Sequence, residues 1–507
     1  MWRCRRARLG SVAQSVVGVR AVLGVDIGTS SSKGVLVTFD GTILGSAVRQ
    51  HEVSRPRVGW VEMDADLWWR EFVAIARELT ARTDALVVSV GISGMGPCLL
   101  VTDDQDRPLR PAILYGVDTR SVAQIDELNA EFGADQILDR GGSELSTQAV
   151  GPKLRWISDE EPELFARARR FYMPSSWLAK QLTGEYVLDF HSASQCNPLF
   201  DSLARKWHQP WADRVVGEIE LPPLRWPGDV CGRVTTRAAA ETGLSEGTPV
   251  ITGTIDAWSE AVSVGAVEPG DLMLMYGTTM FLVNTVAERT SAQNLWGTVG
   301  ALPGTYSIAG GMATSGAITD WLRGLFETQT FAELTKAAEI SGPGSRGLIM
   351  LPYFAGERTP IADPDARGVI AGLSLEHVRG DLYRAALEST AFGVRHNIEA
   401  LDRADSTVDR VFAVGGGTLS TIWTQIVSDV TGVDQIVSKV TIGASFGAAF
   451  LAACAVETVS IGDWNPPAKV VRARTEYSEL YGERFALYRK LYESTASISH
   501  ALAAMQR

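Results

Sequence analysis

The chain has 507 residues, 45% of them hydrophobic and 8% aromatic, and a formal net charge of −12. That length can bury more than one core and suggests more than one domain, while the acidic balance excludes a nucleic-acid binder, because no basic stripe exists to neutralise phosphates. No uninterrupted apolar segment is long enough to cross a bilayer, the five cysteines form no CxxC pair and the six histidines no HExxH spacing, so no membrane span, disulfide framework or structural metal is expected.

The first twenty-five residues carry Arg3, Arg5, Arg6, Arg8 and Arg20 and no acid. Such a composition fits an organellar transit peptide, a disordered extension or a start codon placed too early, and residues 1–20 are set aside as a disordered or mis-started extension. The fold begins near Ala21. The apolar run Ala21 to Val25 suits a central strand that delivers Asp26 into the turn Ile27-Gly28-Thr29-Ser30. Gly28 lets backbone amides approach an anion, Thr29 and Ser30 add hydroxyl donors, and Asp26 offers the hard oxygen that Mg2+ prefers, directly or through water. Asp-x-Gly-Thr also occurs in aspartic proteases, and a glycine turn after a strand can be only a turn. No second copy of Asp-Thr/Ser-Gly follows to complete a protease pair.

Lys33 to Phe39 and Thr42 to Ala47 flank Asp40-Gly41 and read as a hairpin, followed by an amphipathic helix from Leu67 to Thr80 and a strand from Leu86 to Val90. Trp68 and Trp69 pack that helix against a sheet, whereas Trp60, beside Gly59 in a loop, can also line a sugar pocket. Asp118-Thr119-Arg120 is either a grip for sugar hydroxyls or a surface ion pair. Val250 to Asp256 is a strand that runs into a helix. An Asp there serves as a helix cap or as the acceptor of a proton from a bound hydroxyl.

Asp271 to Val283 repeats the pattern of strand, glycine-hydroxyl turn and strand, which suggests two related α/β domains divided between Asp256 and Gly270. In the second half, Gly310 to Ala317 is a glycine-rich turn with Trp321-Leu322 behind it as core. Leu382 to Leu401 reads as a long helix before the strand Val411 to Val414. Gly415-Gly416-Gly417-Thr418-Leu419-Ser420 then leads into a helix from Thr421 to Val430, where amides and the helix dipole suit a nucleotide phosphate or ribose edge, or merely a tight turn.

The ordered set of blocks resembles the FGGY family of carbohydrate kinases. The blocks are Val25 to Ser30, Gly59-Trp60-Val61-Glu62-Met63-Asp64, Asp118-Thr119-Arg120, Gly253-Thr254-Ile255-Asp256-Ala257, Tyr276-Gly277-Thr278-Thr279, Phe354-Ala355-Gly356-Glu357-Arg358-Thr359-Pro360, Arg367-Gly368 with Gly372-Leu373, Gly415-Gly416-Gly417, and Gly443 to Ala449. The resemblance implies an α/β fold of two duplicated ribonuclease-H-like (actin/hexokinase-type) domains with an interdomain cleft. Residues 21–262 form the sugar-binding side and 263–465 the nucleotide-binding side, with a helical extension over 466–507. It implies Asp256 as catalytic base and Asp26 as the carboxylate near Mg2+. Gly28, Thr29, Ser30, Gly277 and Thr278 match the turns around the phosphates of ATP, and Gly316, Gly416 and Ser420 match positions near the nucleotide. Gly94, Met95, Asp118 and Arg120 join Asp256 on the sugar side.

One block departs from the xylulokinase-like subgroup, whose sugar-binding turn is Ser-Gly-Gln-Met-His-Gly. This chain has Ser93-Gly94-Met95-Gly96-Pro97 there, which removes two polar side chains that hold sugar hydroxyls. The Gln-Arg-Glu-Thr of glycerol kinases is missing too. The expected activity is ATP- and Mg2+-dependent phosphorylation of a hydroxyl of a small sugar, a ketopentose or related polyol, in the cytoplasm, without nucleic acid or membrane and with a homodimer left open. A non-kinase ATPase or a sugar-responsive binding protein on the same fold is the alternative.

Overall fold

The computed structural model describes residues 18–326 and 330–506, so residues 1–17 of the segment set aside as an extension lie outside it. The chain divides into two compact units. The first takes the described residues up to Pro269, with Thr285–Ser307 and Ile442–Pro466; the second takes Gly270–Asn284, Ile308–Thr441 and the residues from Pro467 onward. By packing, the helix Ala444–Val456 belongs to the first unit. The strand Pro467–Val471 and the helix Ser478–Met505 belong to the second unit, where the strand pairs with Gln435–Ser438.

In the first unit the strand Arg20–Ile27 lies at the centre of its sheet. It pairs antiparallel with Ser31–Thr38, which pairs antiparallel with Ile43–Gln50 across the predicted Asp40-Gly41 turn. On the other side it pairs parallel with Leu86–Gly94, followed by Pro249–Ile251. The second unit repeats this arrangement. Asp271–Tyr276 pairs antiparallel with Met280–Val286 and parallel with Arg410–Val414, which pairs parallel with Gln435–Ser438, and Tyr306–Met312 lies beyond Met280–Val286. Two sheets in which the central strand has an antiparallel neighbour on one side and a parallel one on the other are the duplication that the repeated motif predicts.

The helix Ala65–Ala81 starts at Asp64, whose side chain accepts from Asp66 N. Trp68, Phe72, Ile75, Ala76 and Leu79, spaced three and four apart, are fully buried on its sheet-facing stripe. Trp68 donates to Met63 Sδ at 3.0 Å and Trp69 to Glu241 at 2.7 Å, so both tryptophans are packed as expected.

The helix Ala444–Val456 is apolar or small on all sides, the pattern of a helix buried all round. Its backbone lies directly on two strands. A Cβ at Gly24 would come within 2.1 Å of Ser445 O, and one at Gly91 within 1.9 Å of Ala448 O. On another side a Cβ at Gly447 would fall 1.8 Å from Ser259 O, so the helix Asp256–Ser263 is held equally close. Glycine at these positions sets how near Asp256 sits to the central strands. Gly91→Ala is expected to lower unfolding stability by about 1–3 kcal/mol or more through overpacking against backbone that has no rotamer to give, readable as a reduced denaturant midpoint.

Candidate active site

A row of four residues crosses the end of the first sheet. Lys33 faces Asp26 across the antiparallel pair, Asp26 faces Ser93 across the parallel pair, and Ser93 faces Thr254 of the short strand Thr254–Ile255. Asp256 follows at once as the first residue of its helix. Ser93 Oγ donates to Asp26 Oδ1 at 2.9 Å. Asp256 is not the cap that the sequence allows: Ile255 occupies the cap position, and Asp256 Oδ1 accepts from its neighbour Ala257 N at 2.7 Å. One turn later on the same helix stands Glu260, a residue to which the sequence assigned no role.

These acids are electrostatically close and poorly solvated. Burial raises the Asp26 carboxyl above its ordinary range, and the charges on Asp256 and Glu260 raise it further, against the Ser93 hydrogen bond and Lys33. Burial also raises Asp256, opposed by the Ala257 amide. Glu260 is pushed up to about 7 by burial and then by Asp256. Three buried carboxylates, of which Asp26 and Glu260 feel Lys33, attract a cation or share protons. Among the described residues no three His, Cys, Asp or Glu side chains converge to hold a metal by themselves. A hard divalent cation bound here would have to bring most of its ligands with it, and Asp26 is one carboxylate that could reach it.

The turn after Asp26 is braced from behind. Gly28 N donates to Ser31 O at 3.1 Å, while one His51 nitrogen meets Gly28 O at 3.0 Å and the other meets Glu71 at 2.9 Å. Thr29 Oγ1 lies 2.9 Å from the Tyr115 hydroxyl, and Ser30 is exposed. His51 lies beyond the hairpin in sequence, so no local pattern points to it.

On the sugar side, Gly94 ends its strand and Met95 N donates to Ile27 O at 2.7 Å, with the Met95 side chain buried in the core of the first unit. Asp118 and Arg120 are not the surface ion pair left open above. Both side chains are fully buried, with the Arg120 guanidinium on both Asp118 oxygens at 2.7–3.1 Å and on Glu62 at 2.7 Å. Val61 N fills a further Asp118 acceptor position at 2.6 Å. Arg120 stacks 4.1 Å over Trp60, and Trp60 meets Trp156 edge-on at 5.1 Å. The pair thus fixes the segment that carries Trp60, with its charges largely spent within the protein.

The second unit contains a pocket of about 880 Å³ lined by Tyr276, Gly277, Thr278, Gly316, Trp321, Phe331, Tyr383, Gly416, Leu419 and Ser420 among others. It gathers all five second-half residues expected near nucleotide. Gly316 N donates to Gly277 O at 3.0 Å and Ala317 N to Thr278 O at 3.2 Å, which ties the turn to the head of the helix Gly316–Leu325. Gly415 has φ +88°, and a Cβ there would lie 2.5 Å from Tyr276 O, so glycine is required to fold the loop back on the strand. Ser420 caps the helix Thr421–Thr431 by accepting from Trp423 N at 3.4 Å. Trp321 departs from its expectation. Leu322 is core, but Trp321 is 44% exposed, meets Phe354 edge-on at 5.0 Å and lines the pocket, because one helical step turns it from the buried to the open face.

A duplicated sheet with polar turns at the strand ends, acids on one unit and a base-sized pocket on the other, defines the class of actin/hexokinase-type phosphotransferases. Within that class the chain belongs to the FGGY family of carbohydrate kinases: the family's N-terminal domain matches residues 21–263 and its C-terminal domain residues 272–456. It is therefore a sugar kinase that uses ATP. The chain is 29% identical to a xylulose kinase of Staphylococcus epidermidis over 495 residues, covering 94% of this chain and 97% of the relative. It is 32% identical to a glycerol kinase of Nocardia farcinica over 458 residues, covering 86% and 90%. The crystal structure of xylulose kinase from Rhodospirillum rubrum matches with a TM-score of 0.89 at 31% identity, covering 95% of this chain and 100% of that one.

Proposed function

We propose that this enzyme transfers the terminal phosphoryl group of Mg·ATP to a hydroxyl of a ketopentose or a related polyol, with Asp256 as general base. The observation that carries the proposal is the Asp256 carboxylate, raised by burial and placed at the head of a helix beside Asp26, where it can accept the proton of an attacking hydroxyl. Likeness over nearly the whole chain to a xylulose kinase supports the substrate class. Met95 in place of a polar side chain argues for a substrate other than xylulose itself, since a site that hydrogen-bonds one hydroxyl fewer discriminates differently.

Bound with the nucleotide near Asp26, Mg2+ would screen the charge of the phosphates. In the first unit Thr29 and Ser30, in the turn after Asp26, supply amides and hydroxyls suited to phosphate oxygens. Phosphoryl transfer needs this alignment and charge neutralisation more than covalent help. The base of the nucleotide is assigned to the pocket of the second unit, against Trp321, with Gly316, Gly416 and Ser420 at its polar edge. A cytoplasmic setting belongs to the same proposal.

The test is ADP release from Mg·ATP across pentuloses, hexuloses, pentitols, tetritols and glycerol. One sugar stimulating turnover supports the proposal; ATP binding with no stimulation by any sugar turns it toward a binding protein. Trp321→Ala should weaken nucleotide affinity about tenfold by titration calorimetry, as expected for loss of one aromatic stack. Its sugar KM should stay unchanged.

A further inference from the structure

The short helix Phe190–Ser194 grips the chain on both sides of Asp256. Asp189 caps this helix and is 1% exposed. Its Oδ1 accepts from Ser192 N at 3.1 Å and from Thr254 Oγ1 at 2.9 Å, and Thr254 lies two residues before the base. His191, fully buried, lies with its ring 3.8 Å from that of Trp258 at 31°, two residues after the base. Its Nδ1 is 2.9 Å from Val299 O, and because a carbonyl only accepts, Nδ1 carries the proton. Burial keeps this imidazole neutral, pushed down to about 3.

Each side chain is hydrogen-bonded through one atom and leaves the other without a partner. Asp189 Oδ2 and His191 Nε2 are buried without a hydrogen-bond partner, an arrangement that disfavours folding on its own account. Two polar groups of this kind, one capping and one within the same five-residue helix, each holding one flank of the same residue, have a common explanation in what they hold. We propose that Asp189 and His191 are positioning residues that fix the direction of the Asp256 carboxylate, acting through Thr254 on one side and Trp258 on the other. The Asp189 hydrogen bond sets where the strand Thr254–Ile255 ends, and the His191 stack limits rotation of the first turn of the helix Asp256–Ser263. A base displaced by an ångström loses its line to the hydroxyl proton while substrate binding is untouched.

The inference rests on Asp256 being the base, and the experiment separates the two. Thr254→Val removes the hydroxyl at constant shape and Thr254→Ser keeps it; His191→Ala removes the stacking ring and His191→Phe keeps it. Each variant is measured for kcat and for KM of ATP per folded molecule, with the melting temperature taken alongside, and Asp256→Asn is run as reference. The expected result is a kcat lowered about tenfold or more in Thr254→Val and His191→Ala with KM for ATP unchanged. Thr254→Ser should recover wild-type kcat and His191→Phe most of it. Wild-type kcat in Thr254→Val and His191→Ala while Asp256→Asn is inactive overturns the positioning role alone, as does a lowered melting temperature without a change in kcat per folded molecule. Full turnover in Asp256→Asn overturns the base assignment, whatever the flanking variants do.

Discussion

Asp256→Asn should abolish sugar-stimulated ADP release, lowering kcat by about 10³- to 10⁴-fold, while nucleotide affinity measured by titration stays as in the wild type. The amide matches the carboxylate in shape and can still accept from Ala257 N, so the helix start is preserved and only proton acceptance is lost. Nucleotide affinity should be unaffected because the pocket proposed for the nucleotide base is lined by other residues, among them Trp321, Tyr383 and Leu419. The pH profile gives an independent check. Burial raises the folded pKa of Asp256, so the acid limb of kcat/KM should lie above the ordinary carboxylate value of about 4, with activity present above that limb and lost below it. A variant that keeps turnover, or a wild-type enzyme fully active at pH 4, removes Asp256 from the role.

Asp26→Ala should lower kcat/KM for Mg·ATP by about 100-fold, the scale of losing one preorganised electrostatic partner, with sugar affinity by calorimetry unchanged. Asp26 holds its place through Ser93 and the strand register and lies opposite Lys33, so its removal leaves the sheet intact. Equal loss of sugar and nucleotide affinity would contradict the assignment. The same variant should change how stability depends on pH. A carboxyl whose folded pKa is raised favours the folded state fully only below its unfolded pKa of about 4. That contribution disappears as the pH rises through the raised folded value. Over this window the wild type should lose stability relative to Asp26→Ala in urea titrations.

Local patterns gave much of the second-unit pocket in advance. Gly277, Thr278, Gly316, Gly416 and Ser420 lie far apart in the chain, yet each sits at or just after a strand end, and the parallel strands Asp271–Tyr276 and Arg410–Val414 end on the same edge of the sheet. Trp321 shows the limit of such reading. An apolar residue beside a buried Leu322 reads as core, and the helix rotation that exposes it depends on what packs behind. For Asp118 and Arg120 the sequence leaves a sugar grip and a surface pair open, and burial excludes the second: Trp60, Trp156 and Glu62 enclose them.

From the sequence alone followed the strand that presents Asp26, the repeat of strand and glycine-hydroxyl turn, the amphipathic helices and the residue types fit for phosphate chemistry. These depend on periodicity and on backbone preferences, which act within a few residues. The tertiary structure decided which acids meet, because the proximity of Asp26, Asp256 and Glu260 depends on strand register and on glycines that let the helix Ala444–Val456 lie against Gly24 and Gly91. It also decided that this late segment belongs to the first unit, that His51 braces Gly28, and that Asp189 and His191 flank the base. Contacts between residues tens to hundreds of positions apart are set by packing, and packing leaves no local period to read.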